Sequence, residues 1–270
     1  MVSGSHWPSR RRFAIRRYSG LTLRIVAIVI VLLAASQASP PGSAQEVTPQ
    51  TAGVVLPADA EVAGLDLAGW NARSWQWFFS LPAAVNPLLD TTGANCGYGQ
   101  SGPVFFLTNA EGSVERSCVV PLGVHIFVPL VGSECSTIEP PPFFGRDEAE
   151  LRRCATTAVD MAESVLDMSA MRLSVDGQTV ADFSTYRALT PRFTLWLPDD
   201  NLLGSARQVA DAVADGYQVM LSPLPAGEHR LEIVLPGAPS QPPITIAYTL
   251  TVVSGAYAAP PATPVATPTS

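Results

Sequence analysis

Two histidines beyond residue 45 are the side chains best suited to acid–base chemistry near neutral pH. His125 and His229 each alternate with apolar residues in a strand-like pattern, which favours a hydrogen-bonded histidine at the edge of a core. If either met Asp90 or Asp199 in space, the pair could act as a general base or bind a metal. The sequence does not bring these groups together, so we assign no catalytic residue and no metal ligand.

Motifs that carry catalysis or bind cofactors are largely missing from the sequence. Residues 99–103 (GQSGP) fail the G-x-S-x-G pattern at the last position, and H-E-x-x-H, P-loop and dinucleotide-binding motifs are absent. The chain has no lysine, which excludes Schiff-base chemistry on a protein amine. The acidic turn at 198–204 resembles a calcium loop, but Leu203 stands where an oxygen ligand is needed. We therefore expect no cofactor.

An aromatic cluster between residues 70 and 79 is the feature most suggestive of a ligand. Trp70, Trp77 and Phe78 recur at helical spacing and are best explained as core. Trp75 and Phe79 lie beside that stripe, so we predict them as ligand-binding residues. Because an exposed indole can stack on the apolar face of a sugar ring, the predicted ligand is an envelope polysaccharide.

A longer pattern begins within this cluster. It consists of W-Q-W-F-F-S-L-P at 75–82, N-P at 86–87, D-T-T-G at 90–93, Cys96, G-Q-S-G-P-V-F-F-L at 99–107 and P-L-P-A-G-E-H at 223–229. The pattern resembles a family of exported bacterial proteins without assigned function, and it spans nearly the whole predicted folded region. The resemblance implies that Asn86, Asp90 and Gln100 are family features, and we add them to the candidate ligand-binding residues. It implies no catalytic residue and no cofactor.

Charge is distributed unevenly along the chain. The 270 residues carry 16 arginines, no lysine and 23 acidic residues, a net charge of −7. The first 45 residues contain six of the arginines and no acid, so the remaining 225 residues carry a net charge of −13. A body this acidic argues against a nucleic-acid partner, because such proteins need a basic face.

The amino terminus has the pattern of an export signal. Arginines at 10–17 precede the apolar run Ile25–Ala35, whose 11 residues are too few for a membrane span of about 20. We predict a signal peptide over residues 1–44, cleaved after Ala44; cleavage after Ser36 or Ala38 also satisfies the small-residue rule. An uncleaved anchor, which would be the protein's contact with the membrane, is the alternative. Residues 9–13 (SRRRF) also resemble a twin-arginine signal, so the export route stays open.

Four cysteines fit an exported protein with two disulfide bonds. We favour the pairs Cys96–Cys118 and Cys135–Cys154, because each closes a short loop. A zinc site is the rival interpretation, but histidines are few and no C-x-x-C pair is present.

Alternating apolar residues predict a mainly β fold with two or three helical insertions. The predicted helices are 67–81, 147–166 and 205–214, and the predicted strands are 104–108, 114–120, 124–131, 171–175, 193–197, 217–221, 229–235 and 246–252. Loops at Asn109–Gly112 and at Asp176-Gly177 predict hairpins, and Pro129 suggests a sheet edge or a strand end. We expect a β-sandwich, Ig-like or related, with an α+β arrangement as the alternative.

These features predict one disulfide-stapled domain at 59–254, between a disordered proline-rich lead-in (45–58) and a disordered Thr/Pro/Ala-rich tail (255–270). The favoured function is a non-catalytic binding or structural module, secreted or in the bacterial cell envelope. The competing class is a secreted hydrolase that uses carboxylate and histidine groups, and an inhibitor or adhesion domain is a third class. Ligand, protein partner and oligomeric state are not determined by the sequence.

Overall fold

The structure is a computed structural model that describes residues 53–180, 182–238 and 241–255. The predicted signal peptide, most of the lead-in and the tail from residue 256 lie outside these residues. In the described part the protein is mainly β, with nine strands in two sheets and two α-helices.

The helices are α1 (Leu67–Ser80) and α2 (Glu148–Val165), with two short 3-10 helices at Ala83–Val85 and Met168–Ala170. The strands are β1 (Val104–Phe106), β2 (Val114–Pro121), β3 (His125–Ser136), β4 (Arg172–Val175), β5 (Gln178–Val180), β6 (Phe193–Leu197), β7 (Gln208–Leu221), β8 (Gly227–Leu235) and β9 (Ile244–Val253).

Both helices begin at the aspartates that local sequence rules favour. The Asp66 carboxylate accepts a hydrogen bond from the Gly69 N–H at 2.8 Å, and the Asp147 carboxylate accepts one from the Glu150 N–H at 2.9 Å. Each bond satisfies a donor that the first helical turn leaves unpaired. The predicted helix 67–81 agrees with α1, and 147–166 agrees with α2, within a residue at each end.

The strands form a four-stranded sheet in the order β1-β3-β7-β6 and a five-stranded sheet in the order β2-β9-β8-β4-β5. The β1–β3 and β2–β9 pairs are parallel and all others are antiparallel. The hairpin predicted at Asp176-Gly177 is present between β4 and β5, and both turn residues have the positive φ angles that this turn requires (51° and 80°).

The predicted hairpin at Asn109–Gly112 is wrong. Strands β1 and β2 belong to different sheets, so the segment between them crosses from one sheet to the other. Strand β2 forms more backbone pairs with β9 than it could with β1. All eight residues of β2 pair with β9, whereas β1 has only three residues.

The predicted helix at 205–214 is also wrong, because β7 is one continuous strand of 14 residues. Ala210, Ala212 and Ala214 suggest a helix by intrinsic propensity, yet they lie in the cluster that packs against Phe79 of α1. Burial of this small-residue face therefore overrides local helix preference.

Pro129 lies beyond the residues of β3 that pair with β1, because that pairing ends at Phe127. At Pro129 the paired strand is β7 alone, and the pairing with β7 shifts register between Pro129 and Val131. The proline thus lies where β3 forms an edge of the sheet on one side, although the strand continues to Ser136.

The folded segment extends to residues that the sequence assigns to the lead-in. The Leu56 N–H donates to the Met220 carbonyl and the Ser222 N–H donates to the Val54 carbonyl, each at 2.8 Å. Residues 54–56 thus run beside the end of β7, ahead of the predicted start at Asp59.

Both predicted disulfide bonds are present. Cys96–Cys118 joins the loop after α1 to β2, and Cys135–Cys154 joins β3 to α2. In the chain-entropy model each contributes about 3 kcal/mol to the free energy of unfolding.

The largest buried cluster combines residues from both sheets. Phe105, Ile126 and Val219 of the four-stranded sheet share it with Leu231 and Ile246 of the five-stranded sheet. Smaller clusters lie under α1 and under α2, on the four-stranded sheet.

Arg116 of β2 is buried within this architecture at 2% exposure. Its guanidinium donates to the carbonyls of Asp90 (2.8 Å), Thr108 (3.1 Å) and Asn109 (3.1 Å) and to the Tyr248 hydroxyl (2.7 Å). The Tyr248 hydroxyl in turn donates to the Thr108 carbonyl. Among the described residues Arg116 forms no salt bridge, so main-chain carbonyls disperse its charge. The Arg116 guanidinium therefore holds two segments against β2 and β9: the loop at 88–90, and residues 108–109, where the chain crosses from one sheet to the other.

Replacing Arg116 with methionine should lower the free energy of unfolding by about 3 kcal/mol, because buried carbonyls lose their donors. Arg230→Met is the matched control: Arg230 lies on β8 of the same sheet in an exposed pair with Glu115, so its loss should cost less than about 1 kcal/mol. Urea denaturation of both variants measures the difference, and equal losses would contradict the role given to Arg116.

Candidate functional site

The two aromatic residues predicted to bind a ligand pack against the protein itself. Phe79 is buried against the small-residue face of β7, and Trp75 is half-buried beside it. The Trp75 ring stacks on Phe79 with centroids 5.8 Å apart and meets the edge of Phe78 at 5.6 Å. These contacts leave no flat platform of exposed rings at this position.

Asn86 and Gln100 are buried and bonded to the backbone of their own region. The Asn86 amide donates to the Phe78 carbonyl at 2.9 Å and accepts from the Leu88 N–H at 3.0 Å. The Gln100 amide donates to the carbonyl of Phe106 at 2.7 Å and accepts from the Phe106 N–H at 3.0 Å. Both side chains therefore fix the loop that links α1 to β1.

Asp90 organises the same loop. Its carboxylate accepts hydrogen bonds from the Thr92 N–H, the Thr92 hydroxyl and the Asn95 N–H at 2.7–2.8 Å. Partial burial opposes ionisation, but these donors hold the pKa of Asp90 below its usual value. The structure thus brings Asn86, Asp90 and Gln100 into one loop, where their described hydrogen bonds are made within the protein.

His229 forms a carboxylate pair that the sequence did not suggest. Its Nδ1 lies 2.7 Å from the Asp176 carboxylate and its Nε2 lies 2.9 Å from the Pro225 carbonyl. Burial lowers the pKa of His229, but the two acceptors outweigh it and raise that pKa above its usual value. The imidazolium can donate to both acceptors at once, so the histidine ties the β4–β5 turn to the turn before β8.

Asp199 and His125 do not join this pair. Asp199 is exposed in the 198–204 turn, which Asn201 organises by donating to the carbonyls of Pro198 and Ser205. Neither Asp90 nor Asp199 is among the hydrogen-bond partners of His229.

A buried carboxyl pair was missed by the sequence analysis. Glu134 of β3 is 5% exposed, and its Oε1 has no hydrogen-bond partner among the described residues. Burial, followed by the neighbouring charge of Glu139, raises the pKa of Glu134 well above its usual value. Burial also raises the pKa of Glu139, although a bond from the Ser136 hydroxyl at 2.8 Å opposes this. Glu134, Cys135 and Ser136 are all buried, so alternation along β3 does not mark position 134, and no rule of spacing pairs it with residue 139.

The exposed tryptophan of the described fold is Trp196, which the sequence analysis treated only as a strand residue. It lies on β6, an edge strand, and is 54% exposed; directly across on β7, Val209 is 60% exposed. The next pair on the same face is Thr194 and Asp211, in register. We call Thr194, Trp196, Val209 and Asp211 the Trp196 surface. Arg192 lies beside it, 3.4 Å from the Asp211 carboxylate.

The opposite face of these strands is rigidly supported. Leu195, Leu197 and Ala210 are buried in the cluster beneath α1. The Gln76 amide of α1 also donates to the Thr194 carbonyl at 3.0 Å. The backbone that presents the Trp196 ring is therefore fixed from behind, which lowers the entropy cost of binding a flat ligand.

Within the described ranges, no group of three or more His, Cys, Asp or Glu is placed to hold a metal ion. No helix of those ranges is long and apolar enough to cross a membrane.

Comparisons with known proteins do not assign the chain to a family. The chain matches no family model and no curated protein. Among solved structures it is similar to the solution structure of Amebosin, at 9% sequence identity over 52% of this chain and 96% of that chain, with a TM-score of 0.18. A similarity this low carries no argument about fold or function.

The raised pKa of Glu134 makes stability depend on pH. The native state retains this proton to a higher pH than the unfolded chain does, so the free energy of unfolding should fall as pH rises from about 4.5 through the native pKa. Glu134→Gln cannot ionise and should remove most of that fall, and Glu139→Gln should reduce it. Urea titrations at a series of pH values measure the slope; an unchanged slope in Glu134→Gln would show that the buried carboxyl is already ionised.

Proposed function

We propose that the protein is a non-catalytic binding module of the cell envelope that binds polysaccharide through the Trp196 surface. The observation that carries this proposal is an exposed indole on a supported strand pair, next to an exposed aliphatic side chain and a charged pair. A sugar ring has an apolar face that stacks on indole and hydroxyl groups around its rim that bond to carboxylate, guanidinium and hydroxyl groups. Trp196 matches the first requirement, and Asp211, Arg192 and Thr194 match the second.

The proposed ligand is the polysaccharide expected from the sequence, but the residue that contacts it is Trp196. Trp75 and Phe79 were expected to supply the aromatic surface, but they pack beside β6 and β7 on the side of the sheet that α1 covers. In the proposal they support the binding strands from behind.

The architecture that fits this function is a β-sandwich in which the large mixed cluster lies between the two sheets. The two disulfide bonds support an oxidising compartment outside the cytoplasm. A rigid stapled sheet suits a module that holds an extended polymer, because little conformational freedom remains to be lost on binding.

A hydrolase is the second candidate, and the buried carboxyl pair is the observation that favours it. Glycosidases use two carboxyl groups, one of which has a raised pKa and serves as the acid. Glu134 has that property, but at 5% exposure it has no access to a polymer in this conformation. The hydrolase hypothesis predicts that the wild type releases reducing ends from a polysaccharide and that Glu134→Gln abolishes the release; the binding module releases none.

Trp196→Ala should weaken binding to the retained polysaccharide at least tenfold, which corresponds to about 1.4 kcal/mol. Trp196→Phe keeps a ring and should lose less. Sedimentation with insoluble peptidoglycan, chitin and cellulose identifies the polymer, and a binding isotherm on it gives the affinities.

Met161→Ala is the control, because Met161 is 47% exposed on α2, outside the Trp196 surface. It should bind as the wild type does. Retention by none of the polymers, or equal affinity of Trp196→Ala and Met161→Ala, would overturn the proposal.

A further inference from the structure

Both ring nitrogens of His229 face atoms that can only accept a hydrogen bond. Nδ1 lies 2.7 Å from Oδ2 of the Asp176 carboxylate, and Nε2 lies 2.9 Å from the Pro225 carbonyl oxygen. A neutral imidazole carries one N–H group, whereas the imidazolium carries two. Only the protonated ring can therefore donate to both acceptors at the same time.

The Asp176 acceptor belongs to a turn that is fixed without the histidine. Asp176 and Gly177 connect β4 to β5. The Asp176 N–H donates to the Arg230 carbonyl at 2.8 Å, and the Asp176 Oδ1 accepts from the Arg230 N–H at 2.9 Å. Two hydrogen bonds thus hold this turn against β8 in either protonation state of the ring.

The Pro225 acceptor belongs to the β7–β8 turn (residues 222–226), whose exposed part depends on the histidine. Leu224 anchors this turn, because its side chain is buried in the large core cluster. Pro225 and Ala226 are exposed, and we call these two residues the tip. Apart from the ladders between strands, the bond from His229 is the hydrogen bond that joins the tip to the rest of the described chain.

Asp176 is the charged group that acts on the ring. The β7–β8 turn contains no ionisable side chain, and Leu250 of β9 lies directly across from His229. On β8 itself, Glu228 and Arg230 are exposed, because neighbouring side chains of a strand point to opposite faces of the sheet. Burial lowers the pKa of His229, but the bonds to its two acceptors and the charge of Asp176 raise it by more.

We infer that His229 is a pH-sensitive switch that holds or releases the tip of the β7–β8 turn. The protonated ring holds the tip against the β4–β5 turn through both of its N–H groups. When one proton leaves for the solvent, the remaining N–H stays on Nδ1, because a bond to a carboxylate is stronger than a bond to a carbonyl. The Nε2 lone pair then faces the Pro225 carbonyl oxygen, and two acceptors 2.9 Å apart repel each other. The tip therefore moves away into solvent.

The switch holds the tip at low pH and releases it at high pH. Since the native pKa of His229 lies above the usual value of about 6.5, the contact is complete below about pH 6.5 and is lost as pH rises through the native pKa. Asp176 stays ionised throughout this range: partial burial raises its pKa, but the bonds from His229 and from the Arg230 N–H lower it by more. The switch is independent of the polysaccharide proposal, because none of its residues belongs to the Trp196 surface.

Nuclear magnetic resonance of the 15N-labelled chain from about pH 5 to about pH 9 tests the inference. The ring of His229 should titrate with a midpoint above about 6.5, and its neutral form should carry the proton on Nδ1. The backbone order parameter of Ala226 should follow the same midpoint. It should fall from about 0.85, the value of a rigid backbone, to below about 0.6.

His229→Gln cannot titrate and should remove the pH response of Ala226. Asp176→Asn keeps a side chain that tolerates the φ of 51° at this position, and should lower the midpoint of His229 by at least about one pH unit because the carboxylate charge is lost. His125→Gln is the control and should leave both results unchanged. A single cooperative unfolding transition shows that each variant folds.

The inference is overturned by a wild-type midpoint of His229 at or below about 6.5, or by a neutral ring protonated on Nε2. It is equally overturned by an Ala226 order parameter that does not follow His229 in the wild type, or that still changes with pH in His229→Gln.

Discussion

The buried guanidinium of Arg116 is the interaction on which the arrangement of the two sheets depends. A charge is costly to bury, and here carbonyls from two segments and a tyrosine hydroxyl surround it without a carboxylate. The hydrogen bonds that Arg116 donates to these acceptors fix the crossing at 108–109, where the chain leaves the four-stranded sheet for the five-stranded one. Because β2 then runs parallel to β9 instead of returning beside β1, the crossing places β2 at the edge of the five-stranded sheet.

The polar residues of the 82–103 loop share one role: they hold this loop in the conformation that contacts Arg116. The Asp90 carbonyl accepts a hydrogen bond from Arg116, and the Asp90 carboxylate accepts hydrogen bonds from N–H groups of its own turn. Asn86 and Gln100 bond to the backbone on either side of it. The polar residues Asn86, Asp90 and Gln100 thus lie in the loop that contacts the buried arginine, and their hydrogen bonds give each of them a structural role.

Local rules predicted much of the fold, and long-range packing decided the rest. The bounds of α1 and α2 and the Asp176-Gly177 turn depend on neighbours in sequence and were predicted correctly. The Asn109–Gly112 hairpin and the 205–214 helix failed because β9 and α1, distant in sequence, offered better partners. The surroundings of the candidate site residues also depend on packing between segments that are distant in sequence. Period-two alternation places Trp196 in a strand, but only the pairing of β6 with β7 and the position of α1 decide which face stays exposed. Glu134 and Glu139 likewise meet through a loop that no spacing rule describes.

The proposed binding of polysaccharide requires contact between a sugar ring and the indole of Trp196. Nuclear magnetic resonance of the 15N-labelled chain tests this contact directly. The indole N–H groups of Trp70 and Trp77 are held by the carbonyls of Val62 and Tyr98, so their resonances should not move. On titration with soluble fragments of the bound polysaccharide, the account predicts a saturable shift of the Trp196 indole resonance. A shift at Trp75 with none at Trp196 would contradict it.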